Sequence, residues 1–159
     1  MSGYGQTTVA IDALRPTEAA DPQVIAALAD DIRSAGELRQ PSLVEADSLA
    51  ILDGHHRYHA ARALGLKRLP AILISYADPR LSLCSWSERT WSREEVIEAA
   101  MRGKILPMKS TRHRLDPGGN RFDQIKALRV RILFGIGRIE PVHVGQQDQL
   151  IRPHRHRNL

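Results

Sequence analysis

The chain has 159 residues, 42% of them hydrophobic and 26% charged, which supports one compact domain of ordinary size, with or without a tail, and excludes a multidomain machine. With two Phe, two Trp and three Tyr the core must be aliphatic, a lone Cys84 excludes an internal disulfide, and no apolar run approaches the ~20 residues of a membrane span. The net charge of +5 is unevenly spread: residues 1–115 carry 15 Lys/Arg against 14 Asp/Glu, whereas residues 116–159 carry 8 against 4.

A near-neutral body argues against a general nucleic-acid footprint, leaving the tail, with Arg152-Pro153-His154-Arg155-His156-Arg157, as the stretch able to touch nucleic-acid phosphates. The start, Met1 to Gln6, has neither the basic nor the apolar part of a secretory signal, so a cytoplasmic protein is expected.

In chain order, the β-branched run Thr7–Leu14 predicts a strand leading into the turn Arg15-Pro16-Thr17-Glu18. Asp21 caps a helix over residues 22–35, with Pro22 in its first turn, Val24, Ile25, Leu28 and Ile32 at helical spacing, and Gly36 as the stop. Residues 41–45 and 49–53 read as a hairpin, and a second helix runs from about His55 to Leu64. Residues 71–76 and 81–86 read as further strands, separated by Ala77-Asp78-Pro79-Arg80. Ser92-Arg93-Glu94-Glu95 has capping-box spacing and opens a third helix ending near Gly103. The break Asp116-Pro117-Gly118-Gly119-Asn120 precedes one short helix over 124–133. The expected fold is α+β, a small mixed sheet with flanking helices, with a domain over 1–115 and a basic appendage over 116–159, partly helical or disordered.

Two segments carry chemistry. In Asp53-Gly54-His55-His56-Arg57-Tyr58 a strand passes into a helix through glycine. A helix N-terminus has free N–H groups and partial positive charge, so placing His55, His56 and Arg57 there breaks the usual preference for acids. A bound anion, above all phosphate, accounts for that break, and Gly54 permits close backbone approach. Two other readings stay open: Asp53 as a simple N-cap with His56 and Tyr58 packed on the sheet, and a metal site built from His55, His56 and His59. The second segment, Lys109-Ser110-Thr111-Arg112-His113, sets cations beside hydroxyls with no carboxylate between Lys104 and Leu115. That composition suits a polyphosphate or a carboxylate.

With Arg15-Pro16-Thr17-Glu18 and the isolated Trp86, these segments resemble the free serine kinases of the ParB/sulfiredoxin-like superfamily over residues 8–115. The resemblance implies a small-molecule kinase that moves phosphate from ATP or ADP, with Mg²⁺, to the hydroxyl of free L-serine or a close hydroxy amino acid. It implies Glu18 as general base and Asp53 as a carboxylate beside the phosphates or a phosphate-bound Mg²⁺. Gly54, His55, His56, Arg57, Lys109, Ser110 and Thr111 would hold the nucleotide phosphates. Trp86, Thr111, Arg112 and His113 would line the serine site. Glu18 could instead serve only the positive end of helix 22–35, and Trp86 could be a core filler. The family's archaeal members carry a longer insert before the Lys-Ser/Thr-Thr-Arg-His segment, whereas 22 residues separate Trp86 from Lys109 here. The related sulfiredoxins carry a cysteine in the glycine loop; this loop has none, so Cys84 is expected to be a buried small residue. The alternative function is a ParB-like nucleotide-binding regulatory protein that touches DNA and lacks kinase activity. A homo-oligomer is compatible with either.

Overall fold

The computed structural model describes residues 6–38 and 40–115, together with the backbone of two further strands at 130–135 and 138–143. A four-stranded mixed sheet forms the centre, in the order β1 (Gln6–Ala10), β5 (Arg68–Ile74), β3 (Ser42–Glu45), β4 (Ile51–Asp53). β1 runs antiparallel to β5 and β3 antiparallel to β4, while β3 and β5 are parallel, Ser42 facing Ala71 and Glu45 facing Ile74. This is the mixed sheet that the sequence implies.

Strand periodicity divides the core. Val44, Ile51, Leu69 and Ala71 point to one face, where they meet α1 (Pro22–Ala35) and α2 (His55–Ala63) through Ala29, Ile32, Tyr58, Ala60 and Ala61. Leu43, Leu52, Ile72 and Ile74 point to the other, against Val96 and Ala100 of α3 (Arg93–Arg102) and Leu81 and Leu115 of a two-stranded ribbon. That ribbon is β6 (Leu81–Cys84) paired antiparallel with β7 (Arg112–Leu115). A sheet covered on both faces by aliphatic side chains supplies the core that so few aromatics could not.

Local signals set the helix ends. Asp21 accepts the N–H of Gln23 at 2.8 Å to cap α1, and Gly36 closes it in the left-handed region at φ +66°. Ser92 and Glu95 form the reciprocal capping box of α3. The strand expected over 7–14 ends at Ala10, where Ile11–Ala13 wind into a 3₁₀ turn. β5 begins at Arg68, earlier than expected, because its neighbour β1 pairs from Ala10 onward.

The two-residue strand β2 (Glu37–Leu38) pairs antiparallel with β8 (Val130–Gly135), which pairs with β9 (Arg138–His143). Residues 130–133 are therefore extended, correcting the helix expected there: Val130 and Ile132 are β-branched and, with Phe134, favour a strand. The rest of that expected helix, 124–129, and the terminal basic stretch lie outside the described residues. No helix among the described residues is long and apolar enough to cross a membrane.

Candidate active site

Glu18 lies on a segment stitched between two neighbours. On one side Arg15 bridges Ala50, and the Thr17 hydroxyl donates to the Ile51 carbonyl at 3.0 Å. On the other, Leu106 N–H donates to Thr17 O at 2.8 Å and Ala19 N–H donates to Leu106 O at 2.9 Å. Behind the turn stands His55, the first residue of α2. Its Nε2 accepts the backbone N–H groups of Thr17 at 3.1 Å and Glu18 at 3.2 Å, with the Thr17 hydroxyl also at 3.1 Å. Burial holds this imidazole neutral, pushing its pKa down to about 3.

The start of α2 is thereby less cationic than its sequence suggests. His55 contributes a neutral acceptor rather than a charge, and its ring faces the Glu18 turn. His56 is used similarly, with Nε2 accepting the Asp21 N–H at 3.1 Å where α1 begins. Two imidazoles acting as acceptors ease the conflict with the helix dipole, and Arg57 remains as the cation. No side chain caps α2; Gly54 occupies the cap position at φ +102°, and Asp53 turns instead toward Arg57, 3.4 Å away. The simple N-cap reading of Asp53 is set aside by that geometry. A Cβ on Gly54 would lie 2.4 Å from Ser42 Oγ and 2.7 Å from Arg57 Nη2, so glycine is required both for the backbone angle and for the room. Arg57 also donates to Pro41 O and Gln40 Oε1, each at 3.3 Å, leaving its buried Nε without a partner.

The loop between Leu106 and β7 stands with Glu18 as one wall of a cleft whose other wall is the Asp53–Arg57 turn. Thr111 donates its N–H at 2.7 Å and its hydroxyl at 2.5 Å to the same oxygen, Oε1 of Glu18. Glu18 is 8% exposed, and burial raises the proton affinity of its carboxylate against the lowering effect of the Thr111 bonds. The reading of Glu18 as a mere helix-end charge does not fit a buried carboxylate bonded to a residue 93 positions away.

These walls enclose one cleft of about 470 Å³, lined by Glu18, Asp53, Gly54, His55, His56, Arg57, Trp86, Met108, Lys109 and Thr111. Segments widely separated in the chain thus face a common space. Trp86 is 58% exposed with the Arg112 guanidinium carbon 4.1 Å above its ring, so it is a cleft wall and no core filler. Lys109 reaches the lining from a left-handed backbone at φ +60°. Ser110 turns inward, its hydroxyl donating to Pro107 O at 2.5 Å, and does not line the cleft. His113 sits behind it, its Nε2 paired with the Tyr76 hydroxyl at 2.7 Å; burial pushes its pKa down to about 4.

The cleft also extends along Leu28, Asp31 and Ile32 of α1 and Glu37 and Leu38 of β2, which sequence reasoning did not select. Their helical and apolar spacing signals only burial, and only the packing of β2 beside α1 brings them to a cavity. Cys84 is exposed, correcting its expected burial: it shares the outward face of the ribbon with Ser82, while Leu81 packs inward.

Among the described residues no group of three His, Cys, Asp or Glu side chains is arranged to hold a metal ion, which removes the histidine site left open above. Asp53 is different. Its carboxylate is largely exposed and lines the cleft, as suits a Mg²⁺ held by one carboxylate together with substrate phosphates.

The structure is a mixed α+β sheet domain that carries a cation-bearing glycine turn and a buried carboxylate on one cleft. The chain belongs to the ParB N-terminal domain family, which matches residues 6–87. It is 34% identical over 111 residues to a ParB-like protein of Sulfolobus acidocaldarius, covering 70% of this chain and 53% of that one. It is 38% identical over 80 residues to an ATP-dependent L-serine kinase of Staphylothermus marinus, covering 48% of this chain and 32% of the relative. The chain therefore spans about a third to a half of the length of these relatives. The structure of a free serine kinase in complex with AMP superposes with a TM-score of 0.65 at 14% identity, over 72% of this chain and 89% of that one, and shares the fold.

Proposed function

We propose that this chain is a small-molecule kinase that transfers a phosphoryl group from ATP or ADP to the hydroxyl of free L-serine, giving O-phosphoserine. The observation that carries this reading is the convergence of Glu18, the Asp53–Arg57 turn and Lys109 on one cleft. Phosphoryl transfer asks a protein chiefly for positioning, charge neutralisation and a base, and each has a named group here.

In the proposed step the serine oxygen attacks the terminal phosphorus, the bond from that phosphorus to its bridging oxygen breaks, and the hydroxyl proton passes to Glu18. Burial favours this assignment because a carboxylate with raised proton affinity is a better base near neutral pH. Arg57, Lys109 and the uncapped first-turn amides of α2 would bind the phosphates. Asp53 would contact a Mg²⁺ carried by the phosphates, which when bound neutralises charge on the transferring group. Trp86, with Arg112 stacked on it, would wall the amino-acid end, and the nucleoside part of the leaving nucleotide would extend toward Leu28, Ile32 and Leu38. The resemblance to serine kinases names the acceptor, and the similarity to an ATP-dependent L-serine kinase supports it.

A nucleotide-binding regulatory role is the second reading, favoured by the ParB N-terminal domain match. Incubation with L-serine, Mg²⁺ and either ATP or ADP, with detection of O-phosphoserine, separates the two. Product is expected with at least one nucleotide; no product with either, together with salt-sensitive DNA binding, would replace the kinase by the regulator.

A further inference from the structure

Taking Glu18 as the base proposed above, we propose that Thr111 is its positioning residue, fixing one carboxylate oxygen with two donors so that the cationic loop and the base move as one body. Both donors of Thr111, backbone N–H and hydroxyl, converge on Oε1 of Glu18 at 2.7 Å and 2.5 Å. The hydroxyl proton is therefore committed to a buried carboxylate and is not offered to a phosphate oxygen. Any residue but proline at position 111 would supply the amide; the second donor requires a hydroxyl.

The other end of the loop is tied to the same place. Leu106 bonds through its backbone to Thr17 and Ala19, on either side of Glu18. Residues 106–111 thus close on Glu18 at both ends, one through its backbone and one through its side chain, with Lys109 between them at φ +60° and lining the cleft. A loop pinned at two points cannot shift its lysine without disturbing the carboxylate. Binding of a phosphate at Lys109 and orientation of the base are thereby coupled by geometry.

The charged and titratable groups near Glu18 come from three elements. Asp53, at the end of β4, raises its proton affinity; the backbone of Lys109 and both Thr111 donors lower it; His55, neutral, accepts the Glu18 N–H. Burial is the largest influence and acts upward. Removing the Thr111 hydroxyl takes away a downward influence, so the sign of the change is fixed: the carboxylate should hold its proton to higher pH.

Carboxyl-labelled glutamate, with the Glu18 signal identified by its loss in Glu18→Gln, reads this directly by NMR in the absence of substrate. Thr111→Val is expected to move the Glu18 midpoint upward by about one pH unit, and Thr111→Ser to leave it near wild type. In turnover, Thr111→Val should lower kcat by roughly 10- to 100-fold and shift the acid limb of the pH profile upward, with nucleotide Kd changed less than about 2-fold. An unmoved midpoint in Thr111→Val overturns the proposal, as does a rise in nucleotide Kd at unchanged kcat, which would make Thr111 a ligand of the nucleotide. If the valine variant does not fold, the serine variant still decides: a shifted midpoint or lost turnover with the hydroxyl retained would assign the effect to the methyl group. Because the titration needs no substrate, a wild-type protein that makes no O-phosphoserine would sink the serine kinase reading and leave the Thr111 result standing.

Discussion

The two walls of the cleft each present a carboxylate, and they are built on opposite principles. Glu18 is buried, bonded twice by Thr111 and pushed toward higher proton affinity, whereas Asp53 keeps a carboxylate 69% exposed, with a single long contact to Arg57. A buried acid whose bonds come from neutral donors is poised to exchange a proton. Asp53 instead sits exposed beside a cation. Under the proposed function, two carboxylates facing one space would take different roles because of what surrounds them, the general way in which one fold separates a base from an electrostatic partner.

The sharpest way to break this contrast is Glu18→Gln. The amide keeps an oxygen to accept the Thr111 bonds and cannot take a proton, so turnover should fall by ~10²–10⁴ while nucleotide affinity stays within about 2-fold. Single-turnover kinetics beside calorimetry measures both. Comparable loss in Asp53→Asn, with Glu18→Gln still active, would exchange the two roles.

Arg57→Ala tests the other wall. Arg57 is the cation at the start of α2, and loss of a charge-assisted bond to phosphate should raise nucleotide Kd by ~10- to 100-fold. Calorimetry that finds unchanged affinity would show that the uncapped amides, or Lys109, suffice without it.

The contrast between these walls was only partly legible in the sequence. The residues themselves stood out, because glycine followed by His-His-Arg at a helix start conflicts with the dipole, and because hydroxyls and cations cluster at 109–113. What could not be read was direction. His55 looks like a phosphate ligand until Thr17 and Glu18, almost 40 residues earlier, are seen to donate to its ring. Thr111 looks like a phosphate ligand until Glu18 is found against it. Both outcomes depend on contacts between segments with no mutual sequence signal. The fold followed the same rule. Asp21 with Gly36, and Ser92 with Glu95, delimit α1 and α3 from local chemistry alone. β7 was hidden because Arg112-His113-Arg114 reads as a basic loop, and only its register against β6, Leu81 opposite Leu115, makes it a strand.

Two neutral histidines beside the cleft give the fold a pH signature. His55 is held near 3 and His113 near 4, both below the ordinary value of 6.5. The unfolded chain therefore binds more protons than the folded one as pH falls below 6.5, and stability drops by about 1.4 kcal/mol per pH unit for each imidazole, until the folded values are reached. Glu18 works in the opposite direction, holding its proton more tightly when folded, but it is one group against three lowered histidines, His55, His59 and His113. Urea melts at pH 7.5 and 5.5 should show a clear fall in the midpoint at the lower pH, and His55→Gln should flatten part of it. Equal midpoints would mean that these rings carry charge in the folded protein.

The smallest effect is the most telling about how the loop is built. Lys109 adopts φ +60°, a conformation that costs a non-glycine residue ~1–2 kcal/mol, and the loop accepts that cost in the position where its ammonium can line the cleft. Lys109→Gly relieves the strain but gives the unfolded chain more freedom, which returns roughly 0.5–1 kcal/mol, so the net gain in stability should be no more than about 1 kcal/mol. Lys109→Ala keeps the strain and loses the charge. Both variants should bind nucleotide more weakly, and the glycine variant should melt at or above wild type while the alanine variant does not. Weaker binding paired with equal or greater stability would identify strain retained for function. A glycine variant that melts well below wild type would instead mean that the lysine side chain supports the loop by packing, and that the Thr111 wall is held together by more than its bonds to Glu18.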